Sequence, residues 1–184
     1  MKPLQTVAMG FVIIALFARV GDFDLLADPV GWLLVLGGVR LLPEPIGRRA
    51  LTGLGLLAFV VSVPIWVPDV AAALAREDES LAWTADLPAF VFTALLFHQL
   101  AVAATAGRDR RAARVCAGLV TFSGAVAVLP VLVFGAGWSE LATTASTAAE
   151  VFRLAIVVTL FAYAGRAWAR TPILESAAKP PDSS

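Results

Sequence analysis

Apolar residues run along this chain in long blocks, broken by short polar stretches, rather than with the period of a half-buried strand. Six such blocks cover residues 4–20, 29–42, 50–67, 86–106, 113–134 and 141–168. A helix that crosses a bilayer needs about 20 mostly apolar residues, with about 17 as the lower bound. Five of the blocks reach that length. The second has only 14 residues, about 21 Å of helix at 1.5 Å per residue against a hydrocarbon core of about 30 Å. It is expected to thin the bilayer, or to start from a turn that dips below the membrane surface. The fold expected is an all-α integral membrane bundle of six transmembrane helices, read as three αα-hairpins in one domain over residues 1–170. The Pro- and Ser-containing tail at 171–184 is expected to be disordered and cytoplasmic.

Composition supports the pattern. Hydrophobic residues make up 59% and charged residues 15% of the 184, where soluble domains carry about 45–50% and about 25%. Too little polar surface is left to cover a soluble globule. The formal net charge is zero, so the total does not point to nucleic acid. The distribution says more. Lys2, Arg40, Arg48, Arg49, Arg108, Arg110, Arg111, Arg114, Arg166, Arg170 and Lys179 all fall at alternate ends of the blocks, and they are eleven of the 14 basic residues. With the positive side inside, this gives N-in/C-in topology in a bacterial cytoplasmic membrane. The acidic residues Asp22, Asp24, Asp28, Asp69, Glu77, Asp78, Glu79 and Asp86 lie on the other side. Trp32, Trp66, Trp83 and Trp138 mark the expected outer boundary and Trp168 the inner one. A cleaved signal peptide competes for the first block, but bulky Leu16 and Arg19 flank the candidate cut after Ala18, so the block is read as retained.

Charged side chains are costly in a membrane, and the few present are the candidates for chemistry. Asp22, Asp24 and Asp28 crowd the turn between the first two blocks. Asp28 before Pro29 has the chemistry of a helix N-cap. Asp22 and Asp24 have no such duty, and the three together could hold a cation or a substrate; Arg19, three residues before Asp22, offers a plain ion pair instead. Ala85-Asp86-Leu87-Pro88 repeats the Asp-then-Pro signature, which reads as a cap with Pro88 in the first turn. Glu150 and Arg153 share one face of the sixth block, where they either pair with each other or face a hydrated space. His98 is the single histidine, either a packing hydrogen-bonder beside Gln99 or a proton-responsive group. Gly37, Gly38, Gly53, Gly55, Gly118 and Gly124 permit close helix approach.

Metal-ligand spacing, nucleophile elbows and phosphate loops are missing from the sequence, Cys116 is alone, and no cofactor is expected. The basic clusters Arg48–Arg49 and Arg108, Arg110, Arg111, Arg114 suit anionic lipid headgroups better than nucleic acid; the lipid bilayer, a second copy or another membrane protein are the partners implied. Three function classes remain; an intramembrane enzyme has no paired acid–base or nucleophile constellation behind it, which leaves two to weigh. One is a non-catalytic packing or accessory membrane protein. The other is a small transporter or ion-conducting protein, which requires a cavity reaching both Asp28 and His98.

The segment Asp24-Leu25-Leu26-Ala27-Asp28-Pro29-Val30-Gly31-Trp32-Leu33-Leu34 resembles one found in small bacterial multi-pass membrane proteins. Theirs runs roughly Asp-x-Leu-Pro-Asp-x-Ile-Gly-Tyr-x-Leu, also between the first two hydrophobic helices. Asp24, Leu26, Asp28, Gly31, Trp32 and Leu34 fall on that pattern, while Ala27 stands where those proteins have proline. The resemblance implies a multi-pass membrane fold and carries no activity with it.

Overall fold

A computed structural model describes residues 2–15, 19–20, 23–24, 28–43, 46–67, 69–70, 73, 79–130, 132 and 142–169. Among them are six helices of 13 residues or more: α1 Pro3–Ala15, α2 Asp28–Arg40, α3 Arg48–Ile65, α4 Glu79–Ala106, α5 Arg110–Pro130 and α6 Ala142–Tyr163. A short 3₁₀ turn, Ala167–Ala169, follows α6. Four of the helices are long and apolar enough to cross a membrane, within Arg48–Ile65, Thr84–Ala106, Arg110–Leu129 and Ser146–Tyr163. Large apolar side chains such as Leu56, Val60, Val91, Val102, Leu154 and Val158 are exposed on the bundle surface, as a bilayer solvent allows and water does not.

Each helix packs on its neighbours in the chain, and α6 also packs on α1. The bundle is therefore a closed ring in sequence order. Neighbours run antiparallel: Gly10 lies at Gly31 and Gly38 at Val7, Gly55 lies at Phe92 and Gly47 at Gln99, and Phe122 lies at Phe152 while Trp168 returns to Asp109. The tightest seam joins α1 to α2. A methyl on Gly10 would sit 2.6 Å from the Gly31 carbonyl oxygen, and one on Gly38 would sit 2.8 Å from the Val7 amide nitrogen. The backbones touch there. Phe92 of α4 fills the middle of the ring. It meets Trp32 edge-on with centroids 5.3 Å apart and Phe11 at 6.2 Å, and both its flank and Leu36 close over Gly55.

Several expected boundaries move. The first helix ends at Ala15 rather than 20, and Arg19–Val20 pairs antiparallel with Phe23–Asp24, Arg19 opposite Asp24 and Val20 opposite Phe23. Two residues, Gly21 and Asp22, separate the strands, a spacing and composition that favour a hairpin over a further helical turn. Arg19 thus lies outside α1, and Asp22, its expected partner, lies outside the described residues. α4 starts seven residues before Asp86, so Asp86 and Pro88 stand inside the helix instead of capping it. α5 starts at Arg110 because Asp109 caps it, its Oδ1 accepting the Ala112 amide at 3.1 Å. α6 stops at Tyr163, five residues short of Trp168. The 171–184 tail lies outside the described residues.

Candidate functional site

The two ends of the bundle differ. At one end α2, α4 and α6 stop and α1, α3 and α5 begin, and Lys2, Arg40, Arg48, Arg49, Arg108, Arg110, Arg111, Arg114 and Arg166 gather there. At this basic end α4 closes with the Arg108 amide on the Thr105 carbonyl (3.0 Å) and the Asp109 amide on the Ala104 carbonyl (2.9 Å). That is a Schellman arrangement, with Arg108 at φ 58° where glycine is usual. Asp109 comes next and does more than cap. Its Oδ2 accepts from the Trp168 indole N–H at 3.4 Å and lies 3.6 Å from Arg166 Nε. Gly107 leaves room for Trp168, whose Cβ and Cδ1 lie 3.0 Å from where a methyl would stand. The Ala112 amide, the Trp168 indole and the Arg166 charge together hold the Asp109 carboxyl below its ordinary value of 3.8.

The opposite end is hollow. A cavity of about 130 Å³ lies between α1, α2, α3, α4 and α6. Its buried lining includes Phe11, Trp32, Ala58, Ser62, Thr93, Phe152 and Ile156, while Asp28, Asp86 and Arg153 are its more accessible members. The shape has a simple origin. α1 and α2, at 13 residues each, rise about 20 Å, and α4, at 28 residues, rises about 42 Å. The cavity lies at the described ends of these two short helices, lined there by Ile14, Ala15 and Asp28. Ser62 and Thr93 donate their hydroxyls to the Phe59 and Ala89 carbonyls of their own helices, both at 2.8 Å. That keeps them polar without spending a donor on the cavity.

Arg153 belongs to two environments. Its Nη1 donates to Glu150 Oε1 at 2.7 Å on the flank of α6, and its side chain also lines the cavity with Asp86, on which it acts electrostatically. Glu150 is outside the cavity lining, with 64% of its side chain exposed. The structure thus brings Asp28 and Arg153 of the expected residues together and adds Asp86. His98 is exposed elsewhere, in an open groove between α4 and α5 with Val102, Thr105 and Arg114. The cavity that Asp28 and Arg153 line does not reach it. Asp22 lies outside the described residues, and Asp24 is placed only by its backbone in the short strand. Among the described residues no three His, Cys, Asp or Glu side chains are grouped as a metal ion would need.

In the sequence Asp86 reads as a cap and Trp32 as a boundary residue. Trp32 is instead 3% exposed and walls the cavity. The available signal was the repeated Ala-Asp-Pro-type signature at 27–29 and 85–88, whose two carboxylates line the same cavity.

No family model, curated protein or solved structure matches the chain.

Proposed function

We propose that this chain is a six-span, N-in/C-in protein of the bacterial cytoplasmic membrane that works by packing and binding, without catalysis and without conducting solutes. Its kinship is with the small multi-pass proteins that share the acidic segment before α2. The observation that carries the reading is the separation of the polar groups. The cavity at one end excludes His98, and beyond it the middle of the ring is filled by Phe92, Leu96 and Phe97, all buried. An intramembrane path needs polar groups in succession, and this arrangement interrupts it with aromatic packing. Positive charge at one end supports the orientation. The arginines there, Arg40, Arg48 and Arg49 around one open pocket among them, suit anionic headgroups.

Two measurements test this. Cysteines placed singly at 108 or 166 in a Cys116→Ser background should react with impermeant reagents only from the cytoplasmic face; labelling from outside would overturn the topology. In liposomes the wild-type protein should pass no more monovalent cation than empty vesicles. Flux that drops in His98→Ala and Glu150→Gln would overturn the non-conducting reading.

A further inference from the structure

The hollow end of the bundle holds two groups that packing alone leaves unsatisfied. Asp86 is accessible from the cavity, and among the described residues its carboxylate accepts no hydrogen bond and makes no ion pair within 4.0 Å; Arg153 acts on it only from a distance, its guanidinium being bonded to Glu150. Trp32 is 3% exposed and lines the same cavity, yet among the described residues its indole N–H has no acceptor. A buried indole donor ordinarily finds one, and a carboxylate on a membrane helix ordinarily finds a counter-charge. Around them stand the rings of Phe11, Phe90 and Phe152, surfaces that attract a cation over their faces. Water alone would satisfy the indole and leave the carboxylate with no counter-charge but the Arg153 guanidinium that Glu150 already holds.

We propose that the cavity binds a small organic ammonium ion that also carries an oxygen acceptor, an amino alcohol of the ethanolamine or choline class. The ammonium group sits at Asp86 against the aromatic wall, and the ligand oxygen accepts from Trp32. The space fits: about 130 Å³ is close to the roughly 150 Å³ that admits a benzene molecule, so a ligand of about six or seven non-hydrogen atoms fills it. The same chemistry is offered by a free amino alcohol and by the headgroup of an ethanolamine lipid. Arg153 acts as the guard of the site: while Glu150 holds it, Asp86 stays available. The proposal rests on the reading of this chain as a binding rather than a conducting protein.

The test uses the full chain purified in detergent. Choline and ethanolamine chloride are titrated calorimetrically, with 3,3-dimethyl-1-butanol, the uncharged isostere of choline, as control. One amine should bind saturably at one site per chain and the neutral alcohol should not; equal binding of both would overturn the proposal. Asp86→Asn should weaken the amine roughly tenfold or more. Trp32→Phe should weaken it less, Glu150→Gln should weaken it by releasing Arg153 toward Asp86, and Arg153→Met should not weaken it. Should Asp86→Asn fail to fold, the isostere comparison and Trp32→Phe still decide. In a parallel arm, chain extracted from vesicles of phosphatidylethanolamine or phosphatidylglycerol is analysed for retained lipid. Selective retention of the ethanolamine lipid, lost in Asp86→Asn, assigns the headgroup as source. Binding of neither free amine nor ethanolamine lipid overturns the site and leaves the non-conducting reading intact. Amine-driven flux across liposomes would overturn that reading and leave the site.

Discussion

Asp109 joins three parts of the chain that are far apart in sequence: the end of α4, the start of α5 and the turn after α6. Its two oxygens divide the work, one capping α5 and the other receiving Trp168 and facing Arg166. These contacts favour the charged form, so the folded-state value lies below the ordinary 3.8. The stabilisation is complete above that ordinary value and is lost as pH falls through the lower folded one. Trp168 fluorescence, isolated by difference against Trp168→Phe, should stay constant from neutral pH down to about 4 and change only below it. Asp109→Ala should give the low-pH signal already at neutral pH; no change in that variant would refute the linkage. The apolar-block pattern could not disclose this residue, because an Asp among arginines looks like one more solvated loop charge. Only the return of Trp168, far along the sequence, gives it its role.

At the scale of elements, the helical blocks were legible and their ends were not. Hydropathy locates the middle of each helix because lipid-facing and core-facing residues are both apolar. Ends depend on local chemistry: Arg19–Val20 and Phe23–Asp24 pair as strands where the apolar block promised more helix, and Asp109 starts α5 early. Glycine shows the same limit. Of the six glycines expected at helix contacts, Gly38 and Gly55 meet a neighbouring helix, while Gly37, Gly53, Gly118 and Gly124 have open space beside them. Gly10, which no pattern distinguished, and Gly31, singled out only by the resemblance of the acidic segment, form the closest backbone approach. Gly10→Ala or Gly31→Ala should therefore destabilise the protein by about 1–3 kcal/mol through forced separation of α1 and α2. Gly37→Ala and Gly118→Ala should be neutral, or stabilising by up to about 1 kcal/mol from helix propensity. Thermal unfolding in detergent measures the difference, and equal effects at the two sets would contradict the seam.

At the scale of the whole molecule, the charged site was half legible. Asp28 and Arg153 were visible as costly residues, but which of them share a space depends on which helices are adjacent. That adjacency follows from the ring, and it separates His98 from the cavity while bringing Asp86 into it. The ring also has an assembly consequence. Because α6 seals against α1, the chain encodes a cycle that happens to be opened between those two helices. A circular permutant joining the end of α6 to the start of α1 and opened between α3 and α4 should insert and unfold with a similar midpoint, and failure to fold would show that translation order matters. In the proposed six-span arrangement, the first helix waits in the bilayer with one flank uncovered until the last arrives. The protein is thus vulnerable to a lateral intruder, lipid or foreign helix, for nearly the whole time it takes to be synthesised.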